Sequence, residues 1–243
     1  MIVAITGTGT DVGKTVATAA LASHTARAHS DGLDGVHIVK LAQTGEPVSE
    51  RNTTGDAATI AALTGARHVH ELARYPDPLA PLDAAVVSGR TPLRLSHALS
   101  RVEEIHAAAG EDGWVLIEGA GGLLVNIGLD DGGDAWTMAD LASALSIPVI
   151  VVTTTGLGSL NAAALTLEAL SSRGVQCAGL IGGSVPQDLS GAENLATRIN
   201  LQHFSSGAAA PWLGALPAGA GALPQEQFRS GNWLKIESLL ENH

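Results

Sequence analysis

The sequence predicts an α/β fold with a doubly wound, mainly parallel sheet flanked by helices. Short β-branched runs alternate with longer segments of helical pattern, which is typical of βαβ units. The run Val149–Val152 is apolar throughout, which suits a strand covered on both faces. Hydrophobic residues make up 45% of the 243 residues, enough for a sizeable core. With no linker evident, we expect one domain over residues 1–243.

Strands and helices alternate along the predicted fold. Six strands are predicted, the last from the weakest pattern: Ile2–Thr6, Val36–Val39, Trp114–Ile117, Pro148–Thr153, Gln176–Ile181 and Trp212–Leu216. Helices are predicted near residues 14–29, 55–64, 94–109, 137–145, 159–173 and 190–200. Ligands of such sheets bind beyond the carboxyl ends of the strands. The residues that follow each strand are therefore the candidate functional residues.

Composition and charge exclude several classes of protein. Lys plus Arg number 13 and Asp plus Glu number 24, which gives a net charge of −11 and argues against binding nucleic acid or anionic membranes. The single cysteine, Cys177, excludes an internal disulfide and a zinc site, and we expect a packed thiol. No apolar run approaches the roughly 20 residues of a membrane span. The first residues lack the basic region of a signal peptide, so we expect a cytoplasmic protein.

A glycine-rich turn follows the first predicted strand, and residues 7–15 read Gly-Thr-Gly-Thr-Asp-Val-Gly-Lys-Thr. Such a turn directs backbone N–H groups at a phosphate, while Lys14 reaches the β- and γ-phosphates and Thr15 offers its hydroxyl to Mg²⁺. Five residues separate Gly7 from Gly13, one more than in the standard motif. The preceding strand and the following helix favour a P-loop NTPase-like fold over a chance Gly-Lys-Thr.

Lysine is scarce, and one of the three lysines ends the second predicted strand. This residue, Lys40, is expected at the same sheet edge as Lys14. Its apolar surroundings favour a role with anions over that of a solvated strand-end lysine. Because it lies at a strand end rather than in the core, its replacement is expected to leave folding intact.

Two carboxylates are candidate metal ligands. Glu118 follows the third predicted strand and precedes Gly-Ala-Gly-Gly at 119–122, which allows a close approach of the backbone to phosphates. Asp56 begins a helix, where it either complements the helix dipole or binds a metal ion. Together with Thr15, the two would form an open octahedral Mg²⁺ site completed by water and phosphate oxygens.

The segment 156–161, Gly-Leu-Gly-Ser-Leu-Asn, follows the fourth predicted strand and opens a helix. It either only caps that helix or holds a carboxylate with its free N–H groups, and the pattern leaves both open. The nine histidines show no metal-binding HExxH arrangement, so we interpret them as surface or core residues.

At these motifs the chain resembles the dethiobiotin synthetase family of the P-loop NTPase superfamily. The resemblance covers most of the chain and is strongest in the five-residue spacing of the loop together with the downstream Glu-Gly-Ala-Gly-Gly. The matching segments are Thr6–Thr15, Lys40–Gly45, Asp56, Pro78–Pro81, Glu118–Gly122, Gly156–Asn161 and Leu213–Pro217.

The resemblance implies an ATP-dependent cyclo-ligase of biotin biosynthesis. Its substrates would be 7,8-diaminononanoate, CO₂ or bicarbonate, and ATP or another nucleoside triphosphate, with Mg²⁺ as cofactor. One amine takes up CO₂ as a carbamate, the carbamate attacks the γ-phosphorus, and the second amine closes the cyclic urea from the carbamic-phosphoric anhydride. A homodimer is implied, and no nucleic acid or membrane is involved.

The resemblance also implies roles for individual residues. The catalytic residues would be Lys40, Lys14 and Thr10. Substrate would be bound by Thr44 and, at its carboxylate across the dimer interface, by Gly156, Leu157 and Asn161. The metal ligands would be Thr15, Asp56 and Glu118. The nucleotide would be bound by Asp11, Val12, Gly13, Lys14, Thr15, Val16, Asp56, Glu118, Gly119, Ala120, Gly121, Gly182, Gly183, Pro217, Ala218 and Gly219.

One departure from the family pattern concerns the nucleotide base. Members of the family often carry Asn-Asp after the strand that holds the base, whereas residues 182–184 here are Gly-Gly-Ser. Glycines offer only backbone groups to a base. We therefore expect base selection that is relaxed or that favours a nucleotide other than ATP.

Two alternative functions share parts of this pattern. A cobyrinate-type amidotransferase has the variant loop, but it needs a glutaminase domain with a cysteine nucleophile. A ParA/MinD-like nucleotide switch carries an extra lysine at the position of Gly9 and a basic amphipathic C-terminal helix. Residues 232–243 contain one lysine and two glutamates, which argues against such a helix.

Overall fold

In the computed structural model, which describes residues 1–48 and 53–240, every strand of the central sheet is parallel to its neighbours. The strands within those residues are β1 (Ile2–Gly7), β2 (Val36–Lys40), β3 (Gln43–Thr44), β4 (Val69–Glu71), β5 (Arg74–Tyr75), β6 (Leu93–Arg94), β7 (Trp114–Gly122), β8 (Gly128–Leu129), β9 (Ala135–Trp136), β10 (Val149–Thr153), β11 (Cys177–Val185) and β12 (Trp212–Pro217). Seven of them form the central sheet in the spatial order β12-β11-β10-β1-β7-β2-β4. The predicted doubly wound α/β fold is confirmed.

Helices cover both faces of this sheet. Those in the described residues are α1 (Lys14–Ala28), α2 (Asp56–Thr64), α3 (Pro81–Val87), α4 (Leu95–Ala109), α5 (Met138–Leu145), α6 (Ser159–Ser171), α7 (Leu195–Ser205), α8 (Gln225–Ser230) and α9 (Glu237–Leu240). Within the described ranges, none of the helices is both long and apolar enough to cross a bilayer.

The core lies in two layers because alternate strand residues face opposite sides of the sheet. Ile38, Leu116 and Ile150 pack towards α1, α2 and α8. Val39 and Val151, their neighbours along the strands, pack towards α4, α5 and α6. By this alternation, Lys40 and Glu118 share the face that α1 covers. This shared face positions the candidate site.

Several predicted boundaries were wrong. The third strand was predicted to end at Ile117 and the fifth at Ile181, but they continue to Gly122 and Val185. Glu118, Gly182 and Gly183 therefore lie inside strands rather than after them. Glycine-rich ends hid these extensions, because glycine is depleted in strands.

Some elements were missed or displaced. No prediction was made for the edge strand β4, which has only three residues, for the two-residue strands β3, β5, β6, β8 and β9, or for α3, α8 and α9. The helix predicted near 190–200 is α7, which begins at Leu195 after a 3₁₀ turn at Ala192–Asn194. Arg198 donates to the carbonyls of Leu189 and Gly191, which holds the preceding segment as a loop. The C-terminal segment predicted over 232–243 extends beyond the described residues at 241–243.

Candidate active site

The glycine-rich loop joins β1 to α1 and encloses the Lys14 ammonium. Lys14 is the first residue of α1, and its Nζ donates to the carbonyl of Gly9 at 2.9 Å. A Cβ at Gly7 would lie 2.7 Å from Val12 Cγ2 and 3.1 Å from that Nζ, so the closeness of the loop requires glycine there. Asp11 and Gly13 have φ values of 56° and 94°, which turn the loop into the helix.

Lys40 and Glu118 are neighbours across the sheet. The β2–β7 register pairs them directly, so both side chains extend from the same face. Lys40 Nζ lies 2.8 Å from Glu118 Oε1 and donates to the carbonyl of Gly119 at 3.0 Å. The residues are 2% and 0% exposed, so Lys40 is a buried cation and not the solvated strand-end lysine of the simpler interpretation.

Asp56 and Thr15 connect this pair to the loop. Asp56 Oδ2 lies 2.5 Å from Lys40 Nζ, and Asp56 is the first residue of α2. Thr15 Oγ1 donates to Asp56 Oδ1 at 2.7 Å and lies 3.1 Å from Glu118 Oε1. Four separate parts of the sequence thus bring their polar side chains into one cluster beside Lys14.

The charges of the cluster reinforce one another. Burial by itself would lower the pKa of Lys40, but the carboxylates of Glu118 and Asp56 outweigh burial and raise it above its ordinary value. Burial would raise the pKa of Asp56, but Lys40 and the Thr15 hydroxyl hold it below its usual value. For Lys14, burial and then the nearby Lys40 charge lower the pKa. The buried lysine of the cluster is therefore a stable ammonium.

The oxygen atoms of the cluster fit a magnesium ion. Glu118 Oε2 is buried and accepts no hydrogen bond from the described residues. Two carboxylates and a hydroxyl are the hard oxygen ligands that Mg²⁺ prefers, and such sites take their remaining ligands from water and phosphates. No group of three or more His, Cys, Asp or Glu side chains within residues 1–48 and 53–240 could hold a metal by itself. A nucleotide-bound ion suits this donor set.

Two buried polar residues near the cluster, Gln43 and Arg74, were not predicted from the sequence, nor was the partly buried Glu71. Gln43 contacts the start of α2. Arg74 forms two hydrogen bonds of 2.7 Å with the Glu71 carboxylate and also donates to the carbonyl of Thr54 at 2.8 Å. Their signal in the sequence was weak, since it consisted only of isolated polar residues in short segments without a motif.

One cavity of about 410 Å³ joins the loop to the cluster. It is lined by Thr10, Asp11, Gly13, Lys14, Thr15, Val16, Lys40, Ala42, Gln43, Thr44, Asp56, Ala120 and Gly121. Most residues predicted to bind phosphate, metal and the reacting end of the substrate therefore share one cavity. Glu118 lies beneath it, and Gly119 supplies the carbonyl that binds Lys40.

Of the two predicted base-binding glycines, Gly183 lies against the back of the loop, and Gly182 packs against β12. A Cβ at Gly13 would lie 2.7 Å from the Gly183 carbonyl oxygen, and one at Gly183 would collide with the carbonyl of Val12. A Cβ at Gly182 would lie 2.9 Å from Ala215 Cβ. Both glycines are buried, so the close packing around them explains why these positions carry no side chain. The next residue, Ser184, is exposed.

The turn after β12 lies beside the start of α1. The N–H of Ala218 donates to the Val185 carbonyl at 2.7 Å. A Cβ at Gly221 would lie 3.0 Å from Val16 Cγ2. The predicted nucleotide-binding segment Pro217–Gly219 therefore lies next to the β11 end and close to the loop.

The start of α6 is not part of the shared cavity. Leu157 is 94% exposed, and Asn161 is also exposed. Asn200 on α7 fixes the segment by donating to the carbonyls of Thr155 and Gly156 at 3.0 and 2.7 Å. These hydrogen bonds hold the turn at the surface, outside the cavity that Lys40 lines.

Cys177 is the first residue of β11 and is half-buried. Burial raises the pKa of its thiol, which keeps it protonated and makes it a poor nucleophile. This agrees with the predicted packed thiol.

Comparison with known proteins identifies the family. The family model described as an AAA domain matches residues 2–222. The ATP-dependent dethiobiotin synthetase of Streptomyces coelicolor is 46% identical over 96% of this chain and 91% of its own length. The chain belongs to the ATP-dependent dethiobiotin synthetase family. The family members from Saccharopolyspora erythraea and Frankia casuarinae are 49% and 50% identical, over 92% of this chain in both cases and over 90% and 87% of their own lengths.

The solved structure of the septum site-determining protein MinD from Pyrococcus horikoshii is 14% identical. It covers 95% of this chain and 89% of its own, with a TM-score of 0.49. Membership of the synthetase family rests on the sequence relatives and not on this likeness.

Proposed function

We propose that this chain converts 7,8-diaminononanoate, CO₂ and a nucleoside triphosphate into dethiobiotin, the nucleoside diphosphate and phosphate. The observation that carries the proposal is the single cavity in which the phosphate loop, Lys40 and Thr44 meet. A triphosphate on the loop would direct its γ-phosphate towards Lys40. We place this reaction in the cytoplasm, where nucleoside triphosphates are available.

The chemistry proceeds in three steps. One amine of the substrate adds to CO₂ and loses a proton, which forms a carbamate. A carbamate oxygen attacks the γ-phosphorus, and the nucleoside diphosphate leaves. The second amine then attacks the carbon of the mixed anhydride, phosphate leaves with the electron pair of the C–O bond, and the amine loses a proton as the cyclic urea closes.

These three reaction steps require the protein to position the reactants and to neutralise their negative charge. The carbamate and the γ-phosphate are both anions, so the second step requires cations between them. Lys14 and Lys40 are two ammonium groups that line the same cavity. Glu118 and Asp56 raise the pKa of Lys40, which favours a fixed positive charge at this position over a general base. Thr10 and Thr44 also line the cavity, and they would offer hydroxyl groups to the carbamate end of the substrate.

Thr15, Asp56 and Glu118 would hold Mg²⁺ with the phosphates. The ion would supply further positive charge at the phosphate oxygens when bound. Thr15 keeps the two carboxylates together by contacting both, at 2.7 and 3.1 Å.

The far end of the substrate needs a separate site. Its carboxylate lies at the other end of an apolar chain, and Gly156, Leu157 and Asn161 lie outside the cavity that holds Lys40. A homodimer in which the α6 turn of one protomer completes the site of its partner would reconcile the two observations. The exposed Leu157 would then be covered by the partner.

A coupled assay tests the proposal. Purified protein is incubated with the diamine, bicarbonate, Mg²⁺ and ATP, and the cyclic urea is detected by mass. We expect dethiobiotin and phosphate in equal amounts, with no phosphate release when the diamine is omitted. Phosphate release that is the same without the diamine, or the absence of the cyclic urea, would contradict the proposal.

A further inference from the structure

Gln43 is a buried side chain of the cavity with no role in the scheme above. It is 7% exposed, and its backbone is fixed because β3 pairs with β5 and its N–H donates to the Ala73 carbonyl at 2.9 Å. A buried amide must place its donors and acceptor on partners, because burial without them costs free energy.

The Gln43 amide bridges two segments that line the cavity. Its Oε1 accepts from the backbone N–H of Asp56 at 2.7 Å, and its Nε2 donates to the Thr44 carbonyl at 3.0 Å. The second bond fixes which end of the amide faces Asp56. The bridge therefore joins the first residue of α2 to the residue that is expected to contact the substrate.

The start of α2 depends on this bridge. A helix leaves its first N–H groups without partners inside the helix, and Gly55, the N-cap residue, has no side chain to supply one. Gly55 has φ 92°, and a Cβ there would lie 2.7 Å from the Gln43 side chain. Glycine at 55 makes room for the amide, and Gln43 replaces the missing cap.

We infer that Gln43 is the positioning residue of Asp56, and through Asp56 sets the affinity of the site for the divalent ion. This inference rests on the proposed role of Asp56 as a metal ligand. Thr15 and Lys40 contact the Asp56 carboxylate, but only Gln43 among these fixes its backbone. Partners that hold metal ligands typically change metal affinity by about 10–100-fold when removed.

The test compares Gln43→Met with Gln225→Met. Methionine is similar in length to glutamine but cannot form the bridge. Gln225 is the matched control, because its amide contacts the other end of α2 at the Ala62 carbonyl. Mn²⁺ binding is measured by electron paramagnetic resonance with saturating AMP-PNP, a non-hydrolysable ATP analogue. Nucleotide affinity is measured separately in EDTA.

For Gln43→Met we expect the dissociation constant of Mn²⁺ to rise roughly 10-fold, with unchanged nucleotide affinity in EDTA. Gln225→Met should match the wild type in both. If Gln43→Met does not fold, Gln43→Asn serves instead, since it keeps an amide that is too short to reach Asp56. Wild-type Mn²⁺ affinity in the variant, or an equal loss of nucleotide affinity in EDTA, overturns the inference. A wild type that makes no dethiobiotin would defeat the proposed function but leave this comparison of Mn²⁺ affinities readable.

Discussion

At the scale of single residues, the decisive feature is the ion pair between Lys40 and Glu118. Its burial could not be predicted from the sequence. Lys40 and Glu118 are 2% and 0% exposed and lie 2.8 Å apart. Two charges in such a place offset each other's desolvation, but either one alone is costly. The premise that Lys40 lies outside the core is therefore wrong, and we expect its replacement to destabilise the fold.

Lys40→Met should lower both turnover and stability. Removing the ammonium leaves Glu118 buried without its cation, which costs about 3–5 kcal/mol of unfolding free energy. Turnover should fall by at least about 100-fold, the typical loss for one group that stabilises developing charge. Urea denaturation and the coupled assay measure the two effects.

The double variant Lys40→Met, Glu118→Gln separates the effect on stability from the effect on turnover. It removes both buried charges, so most of the lost stability should return while turnover stays low. A single Lys40→Met variant with wild-type stability, or with turnover within a few-fold of the wild type, would show that the pair has neither role.

Lys14→Ala addresses the phosphate loop. The ammonium is held by the Gly9 carbonyl at 2.9 Å, and a bound phosphate would give it a charged partner. Losing such a charge-assisted contact should weaken nucleotide binding by roughly 1.5–3 kcal/mol. Calorimetric titration with ADP measures this, and unchanged affinity would mean that the loop does not bind phosphate.

Residue identity in a motif predicted the members of the cluster but not their contacts. Lys14, Thr15 and Glu118 stand out because spacing and glycine context mark them. Gln43 and Arg74 do not, because their contacts depend on which backbone groups the fold brings to them. Burial and partners arise from the register of distant strands, which sequence spacing alone does not encode.

At the scale of elements, the edge of the sheet holds a stack of histidines. His37 on β2 stacks on His68 with ring centroids 4.3 Å apart, and lies 5.7 Å from His70 on β4. Burial, with smaller contributions from the charges of His68 and His70, lowers the pKa of His37 to about 4. Burial and then Arg101 lower the pKa of His70. The buried His37 ring belongs to the core only while it is neutral.

Acid should therefore destabilise this edge. The ordinary pKa of histidine, 6.5, exceeds the folded value of about 4 for His37, so the unfolded chain binds more protons between these values. Unfolding free energy should be highest above pH 6.5 and fall as the pH is lowered towards 4. In urea titrations at several pH values, His37→Phe should flatten this slope, whereas the exposed His203→Phe control should not. An unchanged slope in His37→Phe would contradict the assignment.

The same edge shows why β4, the one strand of the central sheet that was not predicted, was missed. β4 has three residues, Val-His-Glu, which is too short for an alternation pattern. It forms because β2 offers a parallel partner along Ile38–Lys40. Long apolar strands such as β10 could be read from the sequence, because their burial on both faces leaves a continuous apolar run.

At the scale of the whole molecule, Gly13 and Gly183 allow the glycine-rich loop to pack directly against β11. The approach of Gly13 to Gly183 joins the first βα unit to the far half of the sheet. From the sequence alone, the glycines at 182 and 183 could be interpreted only as the absence of an asparagine. The loop residues that leave no room for a side chain at 183 lie about 170 residues earlier in the chain. No side chain can stand at 183 while the loop holds this position.

This packing bears on which nucleotide the molecule uses. The side of the loop near Ser184 and Pro217–Gly219 presents small residues and backbone groups, and an amide at 183 that could pair with adenine is excluded by the Val12 carbonyl. Backbone groups and one hydroxyl discriminate poorly between bases. We expect turnover with ATP, CTP and GTP at matched concentrations to agree within a few-fold, measured by formation of the cyclic urea. Ser184→Ala should leave the ratios unchanged if backbone groups dominate, and a strong preference for ATP in the wild type would refute the expectation.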